Sequence, residues 1–158
     1  MIKYTFNIAY LLSSSKYASS LIIDYGDMQA FSDSFRGIKD QKILKGEELL
    51  KYSGECDLTS YVNFRAIKNV LLRNSNIKFG GLMDQGDFLE CLGIENRAND
   101  LKRDLNLNKS EIIDRQYHRL VDGDEMGDTY KFLYAHKSNN NPVFPFIDEI
   151  MDYINQNK

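Results

Sequence analysis

The spacing of apolar and polar residues along the chain predicts alternating helices and strands. Residues that recur at helical intervals predict a first amphipathic helix: Tyr4, Ile8, Leu11 and Leu12. Polar residues interrupt this stretch, so it is interpreted as a helix and not as a targeting peptide. The unbroken apolar run of residues 21–23 then predicts a strand buried on both faces, which is typical of the parallel sheets in α/β proteins.

The rest of the chain continues this alternation after one irregular stretch. Residues 27–57 contain several glycines and charges, and they are predicted to form a long loop with short elements. The next elements are predicted to be a helix with the stripe Phe64, Ile67 and Leu71, and then a strand from Ile77 to Met83 with a bulge at Gly80 and Gly81. Three helices are predicted to follow: a short one that ends at Gly93, a second one, and a third that is capped by Ser110. The last two predicted elements are a strand from Tyr130 to His136 and a helix with Pro145 in its first turn. No repeat or linker divides the chain, which predicts a single domain over residues 1–158.

Composition and charge narrow the classes of protein. With 42% hydrophobic residues the chain can bury a core, and with a net charge of -3 it has no general cationic field for a nucleic-acid backbone. No apolar run approaches the roughly 20 residues that cross a bilayer. The two cysteines, Cys56 and Cys91, predict buried free thiols. Residues 122–133 lack the last carboxylate of a calcium loop, so no metal site is predicted.

Candidate chemistry gathers behind the first strand. Asp24 and Tyr25 end that strand, and ligands of open α/β sheets bind beyond the carboxyl ends of the strands. Arg36 follows in the long loop. A carboxylate, a phenol and a guanidinium placed together could bind a polar substrate, although the same residues also suit a turn cap and a solvated loop charge. Spacing alone leaves both interpretations open.

Five blocks of sequence occur in an order that resembles one family. They are LIIDYGD, DSFRGIKDQK, GECDLTSYVNF, DQGDFLECLGIENRA and QYHRLVDGDEMGDTYKFLYAH, within residues 20–136. Each block is weak alone, but the ordered set resembles the MidA family of S-adenosylmethionine-dependent methyltransferases. The DSFRG block with its following lysines is similar to the mitochondrial branch of that family, which acts in complex I assembly.

The resemblance implies roles for particular residues, position by position. It implies that Asp24 and Asp57 are catalytic and hold a guanidinium so that its proton can be lost. It also implies a substrate-binding role for the other motif positions on the active-site side, which are Tyr25, Gly26, Arg36, Gly37 and Thr59. Asn63 stands where the family has aspartate, so a catalytic charge is missing at that position.

The resemblance further implies that only part of a catalytic domain is present. The family's methyl-donor site consists of a glycine-rich turn after its first strand and an acidic residue ending its second, and neither pattern occurs here. The implied fold is α/β, the C-terminal portion of a Rossmann-like class I methyltransferase sheet with strands five to seven and added helices. S-adenosylmethionine would then be bound by the full-length protein and not by this chain alone, which contributes no cofactor-binding residue.

Two functions follow as hypotheses. In the first, the chain is part of a mitochondrial protein-arginine methyltransferase that acts on an arginine-bearing protein substrate, such as a subunit of respiratory complex I. In the second, it is a non-catalytic protein-binding or assembly module that lacks the methyl-donor site. In either case the strand at residues 20–25 lacks a neighbour, so we expect either self-association along this edge or its coverage by the first helix.

Overall fold

The computed structural model describes residues 2–29 and 33–156. The elements in chain order are α1 (Ile2–Ser14), β1 (Ser19–Asp27), β2 (Arg36–Lys39), β3 (Lys42–Leu44), α2 (Gly46–Lys51), β4 (Asp57–Thr59), β5 (Val62–Asn63), α3 (Phe64–Leu71), β6 (Ile77–Asp84), α4 (Gln85–Cys91), α5 (Ile94–Lys102), α6 (Leu107–Val121), β7 (Tyr130–Lys137) and α7 (Asp148–Gln156). The strands form one four-stranded sheet and one three-stranded sheet. The α/β class is therefore confirmed, but β1 and β6 each pair antiparallel with β7, and not in the parallel manner that the apolar run of the first strand indicated.

The main sheet has the strand order β5-β1-β7-β6. β7 lies antiparallel between β1 and β6, so β1 and β6 run in the same direction and stop at the same end of the sheet, at Asp27 and Asp84. β7 begins at this end with Tyr130. β5 runs parallel to β1 and pairs only with Gly26 and Asp27. The sheet is therefore mixed, and four strand termini meet at one end.

The core lies on both faces of β7, because its side chains alternate between two apolar clusters. Leu133 and Ala135 pack with α1 and α3, whereas Phe132 and Tyr134 pack with α4 and α7. All four side chains are buried. β7 is thus the strand of this sheet whose apolar run is covered on both faces.

The prediction that the first strand is buried on both faces is wrong. Ile22 packs against the cluster under α1 and α3, but Leu21 is 45% exposed and Ile23 is 50% exposed. An apolar run shows that burial is favourable, and it does not show whether another element lies within reach. Along residues 19–25, the described chain also places no strand on the side of β1 away from β7.

α1 forms as predicted, and Ile8 and Leu12 of the predicted stripe pack against the core, but the buried face is rotated away from the other two residues of the stripe. Its buried residues are Thr5, Ala9 and Leu12, whereas Tyr4 and Leu11 of the predicted stripe are 72% and 61% exposed. The helix lies across one face of the sheet and against α3.

Among residues 2–29 and 33–156, none of the helices combines the length and the apolar composition that a membrane span requires.

The segment predicted as a long loop with short elements contains three short strands and a short helix, and the strands form a small sheet. β2 pairs antiparallel with both β3 and β4, in the order β3-β2-β4. β2 and β3 are joined by Asp40 and Gln41, whose φ angles are 48° and 63°. Positive φ at both central residues is the geometry of a two-residue hairpin turn. Neither residue is the glycine that normally marks such a turn, and for this reason the hairpin could not be predicted from the sequence.

α4, α5 and α6 form a helical segment between β6 and β7. Gly93 separates α4 from α5 with a left-handed φ of 79°, as the predicted stop requires. The predicted cap at Ser110 is wrong, because α6 begins at Leu107. The side chain of Asn106 accepts a hydrogen bond from the Lys109 N–H at 3.1 Å and caps the helix one turn earlier.

Two further predictions concern β6 and α7. The predicted bulge in β6 is confirmed by a shift of register between Phe79 and Leu82, where Gly81 has a φ of 104°. The prediction for Pro145 is wrong, because α7 begins only at Asp148. The bulge in β6 could be predicted from its two adjacent glycines. The first residue of α7 instead depends on where the chain leaves the core, which the local sequence does not show.

Both cysteines, Cys56 and Cys91, are free and half-buried, so the prediction of buried thiols is only partly met. Burial raises the pKa of the Cys91 thiol, and the charges of Asp87 and Glu90 raise it further. This thiol is therefore a weaker nucleophile than an ordinary cysteine.

Candidate functional site

The candidate site lies at the end of the main sheet where β1 and β6 stop and β7 starts. Asp24 is exposed there, and its carboxylate accepts a hydrogen bond from the Tyr25 N–H at 2.7 Å. Gly26 is buried, and an added Cβ would lie 2.8 Å from the Phe64 ring and still closer to the Val62 carbonyl oxygen. β5 can therefore approach β1 only because residue 26 is glycine.

Two further tyrosines and an arginine gather around Tyr25. The ring of Tyr61 meets the Tyr25 ring edge to face with 4.8 Å between centroids, and the Tyr130 centroid lies at 6.1 Å from it. The central guanidinium carbon of Arg36 lies 5.7 Å from the Tyr25 centroid, which is a cation–π distance. The structure therefore brings the predicted residues Tyr25 and Arg36 together. We call Tyr25, Tyr61, Tyr130 and Arg36 the tyrosine cluster.

The small sheet holds Arg36 in this position. Arg36 pairs with Thr59 across β2 and β4, so the predicted residue Thr59 also lies beside the tyrosine cluster. Gly37 has a packing role, because an added Cβ would lie 3.0 Å from the Cys56 sulfur and 3.4 Å from a Leu49 methyl carbon. Close packing of the small sheet and α2 thus depends on glycine at this position, next to the arginine that faces Tyr25.

Asp57 has different surroundings from Asp24. It is exposed on β4, two residues before Thr59, which places it about 7 Å farther along the strand. It lines a separate cavity that also contains the ion pair of Lys39 and Glu55. The two carboxylates that the family resemblance pairs therefore lie in different surroundings, and a catalytic role for Asp57 stays a prediction.

A polar cavity of about 420 Å³ opens at the same end of the main sheet as the tyrosine cluster. Its charged lining residues come from three strands and α3, and they are Asp27, Lys68, Asp84 and Lys131. The Lys131 ammonium donates a hydrogen bond to Asp84 Oδ1 at 2.5 Å, and both side chains are largely buried. Asp27 also acts electrostatically on Tyr61, so it links the cavity to the tyrosine cluster.

The Tyr61 hydroxyl holds its proton more tightly than an ordinary phenol. Burial raises its pKa, and the negative charge of Asp27 and the neighbouring Tyr25 raise it further. At neutral pH the hydroxyl is therefore available as a hydrogen-bond donor. The pKa of Tyr61 is higher in the folded state than in the unfolded state, where it is about 10. The contribution of Tyr61 to the free energy of unfolding is therefore fully present below about pH 10, and it is lost as the pH rises through the folded-state pKa.

Substitution of Asp27 by asparagine should lower the pKa of Tyr61, because it removes one of the charges that disfavour the phenolate. Carbon NMR of protein labelled in its tyrosine rings measures this titration, and Tyr61→Phe assigns the resonance. Asp24→Asn is the matched control, since the Asp24 carboxylate is not among the charges that act on Tyr61. A titration that Asp24→Asn moves and Asp27→Asn leaves in place would show that the wrong carboxylate has been assigned.

The glycines near the site do not form a cradle for a methyl donor. A glycine-rich turn binds a ligand when its backbone N–H groups are open to it. Here the space beside Gly26 is filled by protein, an added Cβ at Gly80 would lie 2.5 Å from Phe146, and one at Gly81 would lie closer still to Met151. The backbone beside these three glycines is therefore not open to a methyl donor.

Sequence reasoning missed three residues of this end of the sheet, namely Asp27, Tyr61 and Tyr130. Asp27 and Tyr61 lie inside the blocks LIIDYGD and GECDLTSYVNF, close to the ends of strands. That position could have indicated that both residues belong to the site. Tyr130 lies in the block QYHRLVDGDEMGDTYKFLYAH and begins the strand predicted there, but no motif spacing places it beside Tyr25. It reaches the site through the pairing of β7 with β1, in which it stands opposite Tyr25.

Comparison with known proteins gives a family and a set of relatives. The model of the Methyltransf_28 family, described as S-adenosyl-L-methionine-dependent methyltransferase, matches residues 2–83. The chain is 32% identical over 114 residues to the mitochondrial protein arginine methyltransferase NDUFAF7 homolog of Drosophila melanogaster. It is 30% identical over 119 residues to the mitochondrial protein arginine methyltransferase NDUFAF7 of Xenopus tropicalis. These matches cover 72% and 73% of this chain but 25% and 26% of the relatives, so the chain spans about a quarter of their length.

Solved structures share the fold. Two crystal structures of proteins from Burkholderia thailandensis match with a TM-score of 0.71 and 16% sequence identity, and one of them is bound to S-adenosyl-homocysteine. The matches cover 93% and 90% of this chain and 39% and 37% of those chains. At this identity the likeness shows the mixed α/β fold alone.

Proposed function

The chain belongs to the Methyltransf_28 family of S-adenosyl-L-methionine-dependent methyltransferases, and from this premise we propose that it is part of a protein arginine methyltransferase acting in the assembly of mitochondrial respiratory complex I. The names of the Drosophila and Xenopus relatives support the reaction and the mitochondrial location. The single observation that carries the proposal is the tyrosine cluster at the carboxyl end of β1, with Asp27 beside it. Tyrosine rings stack on guanidinium groups and carboxylates pair with them, which suits an arginine acceptor.

We propose that β1, β6 and β7 are strands five, six and seven of a Rossmann-like class I methyltransferase sheet. The order β1-β7-β6, with β7 antiparallel to both neighbours, supports this numbering. The chain would then be a single domain unit that forms the C-terminal part of a larger catalytic domain. The share of the solved structures that it matches, 39% and 37%, is in keeping with that size.

In the proposed reaction, a guanidinium nitrogen of the acceptor forms a bond to the donor's methyl carbon, the sulfur–carbon bond breaks, and the nitrogen loses a proton. S-adenosylmethionine supplies the methyl group when it is bound by residues beyond those described here. The residues of this chain orient the acceptor: the tyrosine rings stack on the guanidinium, and Asp27 pairs with it and favours loss of its proton. The side chain of Asp24 points to the opposite face of β1 from Tyr25, so its catalytic role rests on the family resemblance alone. Arg36 and Thr59 keep the small sheet against Tyr25.

A chimera tests the proposed function. The matching quarter of the Drosophila relative is replaced by this chain, and the product is incubated with radiolabelled S-adenosylmethionine and a mitochondrial extract. We expect the chimera to label methylarginine, identified after acid hydrolysis, and the isolated chain to transfer nothing. A chimera that folds and binds S-adenosyl-homocysteine but labels no arginine would overturn the proposal.

Carboxylate variants of the chimera locate the acceptor site. Asp27→Asn should lower kcat/KM by about 10²-fold or more, because a group that helps to remove a proton is lost. Asp24→Asn should lower it less, because the Asp24 side chain points to the other face of β1. Asp57→Asn should have a smaller effect, since this residue lies in the cavity of Lys39 and Glu55. If Asp57→Asn caused the largest loss of kcat/KM, the pairing of Asp24 with Asp57 that the family resemblance implies would be favoured. The role proposed for Asp27 would then be wrong.

The second candidate is a non-catalytic protein-binding or assembly module. The filled space beside Gly26, Gly80 and Gly81 agrees with this candidate as well as with the first, because neither places the methyl donor against these glycines. Under this alternative, the chimera binds the methyl donor and transfers nothing to arginine.

We also propose that the isolated chain self-associates along the free edge of β1. Leu21 and Ile23 are exposed beside this edge, and α1 lies on the face of the strand without pairing to it. Sedimentation at increasing protein concentration should show a dimer, and Ile23→Lys should restore the monomer because a charge on the edge opposes strand pairing. Leu107→Lys, at a 79% exposed position on α6, is the matched control. A wild-type monomer at every concentration would contradict this proposal.

A further inference from the structure

Arg36 occupies the contact that the proposed function assigns to the acceptor. The central carbon of its guanidinium lies over the face of the Tyr25 ring, 5.7 Å from the centroid. Guanidinium groups are attracted to this face because the quadrupole of an aromatic ring is negative there. An acceptor arginine that stacks on Tyr25 would use the same attraction. The chain therefore holds a guanidinium of its own where the acceptor is expected.

No carboxylate within residues 2–29 and 33–156 holds the Arg36 guanidinium in an ion pair. The ion pairs in this part of the chain all involve other basic residues. Arginine side chains that pair with carboxylates frequently form two parallel hydrogen bonds, which add energy and geometric specificity. A cation–π contact of a half-buried side chain is weaker and corresponds to about a two- to fivefold ratio of populations. A competing group can therefore displace the Arg36 side chain.

The place of β2 in the small sheet does not depend on this guanidinium. Main-chain pairing joins β2 to β3 on one side and to β4 on the other. Gly37, the next residue, packs closely against Cys56 and Leu49. The Arg36 side chain can therefore leave Tyr25 while β2 keeps its place among the strands of the small sheet.

The electrostatics of the tyrosine cluster favour one guanidinium at a time. Two guanidinium cations repel each other, and the repulsion grows where protein displaces the surrounding water. Tyr25 and Arg36 are both half-buried. Asp27 is the carboxylate that acts on Tyr61 in this cluster, and its single negative charge balances one cation and not two. Simultaneous binding of Arg36 and an acceptor arginine at the tyrosine rings is therefore unfavourable.

We propose that Arg36 is an internal competitor of the acceptor arginine and lies over Tyr25 until an acceptor displaces it. The proposal rests on the proposed function, because it takes the tyrosine cluster to be the acceptor site. Its effect is opposite to that of the substrate-binding role that the family resemblance implies for Arg36. A residue that binds the acceptor lowers the acceptor KM, whereas a competitor raises it. Small guanidinium compounds then bind weakly, and a protein acceptor needs contacts beyond its arginine to displace Arg36.

The first experiment follows Arg36 in the unaltered chain. The ring current of Tyr25 shifts the resonances of the Arg36 side chain from their values in an unstructured peptide, and NMR of protein labelled in its arginine side chains measures this shift. Arg36→Gln assigns the resonances. The probe is N-acetylarginine amide, and N-acetylcitrulline amide is the control because it has nearly the same shape without the charge. Saturation with the arginine probe should return the Arg36 resonances to their unstructured values, and the citrulline probe should leave them in place.

The second experiment measures affinity. Carbon NMR of protein labelled in its tyrosine rings gives the Kd of the isolated chain for N-acetylarginine amide. Arg36→Gln should lower this Kd by about two- to fivefold, because the probe no longer displaces a cation–π contact. Arg73→Gln is the matched control and should leave the Kd unchanged. The Arg73 guanidinium also lies over an aromatic ring, at 5.9 Å from the centroid of Phe6 on α1, and outside the tyrosine cluster.

Arg36→Lys keeps the proposal testable if Arg36→Gln disturbs the small sheet. Lysine preserves the positive charge and the length of the side chain, but it lacks the planar guanidinium that stacks on a ring. The Kd of Arg36→Lys for the arginine probe should lie between those of the unaltered chain and Arg36→Gln. The displacement of Arg36 in the unaltered chain is measured without any substitution at this position.

Three results would overturn the proposal, and they bear differently on the proposed function. A higher Kd in Arg36→Gln would show that Arg36 helps to hold the acceptor. An equal Kd in the unaltered chain and the variant would show that Arg36 does not compete. In both cases the tyrosine cluster still binds arginine, so the proposed function stands. If the arginine probe bound neither chain, the tyrosine cluster would not be an acceptor site, and the proposed function would fail as well.

Discussion

Substitution of Phe64 by alanine is expected to lower the free energy of unfolding by about 3–5 kcal/mol. Phe64 is fully buried at the start of α3, in the cluster that also contains Leu71 and Leu133. Removal of its ring leaves a cavity that the surrounding side chains can fill only in part. The ring also lies against the backbone of Gly26, so the substitution loosens the contact between β5 and β1.

Urea unfolding followed by circular dichroism measures this loss. Phe35→Ala is the matched control, because Phe35 is 54% exposed and its removal should change stability by no more than about 0.5 kcal/mol. The edge-to-face contact of Tyr61 with Tyr25 should weaken in Phe64→Ala, which the ring resonances of both tyrosines would report. Equal effects of the two phenylalanine substitutions would contradict the assignment of Phe64 to the core.

The second large effect is expected from Lys131→Met, at about 3–5 kcal/mol. Lys131 and Asp84 have side chains that are only 10% and 14% exposed, and the substitution leaves a largely buried carboxylate without its ammonium partner. The cost arises from the remaining charge, so the double variant Lys131→Met with Asp84→Leu should recover much of the lost stability. A double variant as unstable as the sum of the two single variants would show that the charges are not coupled.

An exposed ion pair provides the comparison for this prediction. Lys45 lies 2.9 Å from Asp33, with side chains that are 52% and 80% exposed. Lys45→Met should cost less than about 1 kcal/mol, because water already solvates both groups. If Lys45→Met and Lys131→Met had the same effect on the urea midpoint, burial would not be what makes the Lys131 pair important.

The parts of the fold that follow from local pattern could be predicted from the sequence. The stripe of Phe64, Ile67 and Leu71 gives α3, and all three side chains are buried. The paired glycines of β6 give its bulge. In each case the signal and the structure involve neighbouring residues, so no knowledge of the tertiary arrangement is needed.

The parts that depend on distant contacts could not be predicted in the same way. The run of residues 21–23 looks like a strand buried on both faces, and only the arrangement of helices shows that Leu21 and Ile23 stay exposed. The hairpin turn at Asp40 and Gln41 uses positive φ angles without glycine. Local sequence therefore gives the existence of an element more reliably than its burial.

Some residues of the candidate site could likewise be predicted from the sequence, and others could not. Tyr25, Arg36 and Thr59 are found from the motif blocks, and the structure groups them at the end of β1. Asp57 belongs to the same blocks but lies in another cavity. Tyr130 joins the site because antiparallel pairing brings the start of β7 beside the end of β1, which no motif spacing reveals.

The central claim is that this chain holds the acceptor side of the methyltransferase and not the donor side. The most direct test compares two constants in the chimera carrying Asp27→Asn together with Tyr61→Phe: the KM for the arginine acceptor and the Kd for S-adenosyl-homocysteine. We expect the acceptor KM to rise by about tenfold or more and the Kd for S-adenosyl-homocysteine to stay unchanged. A raised Kd for S-adenosyl-homocysteine with an unchanged acceptor KM would contradict this claim.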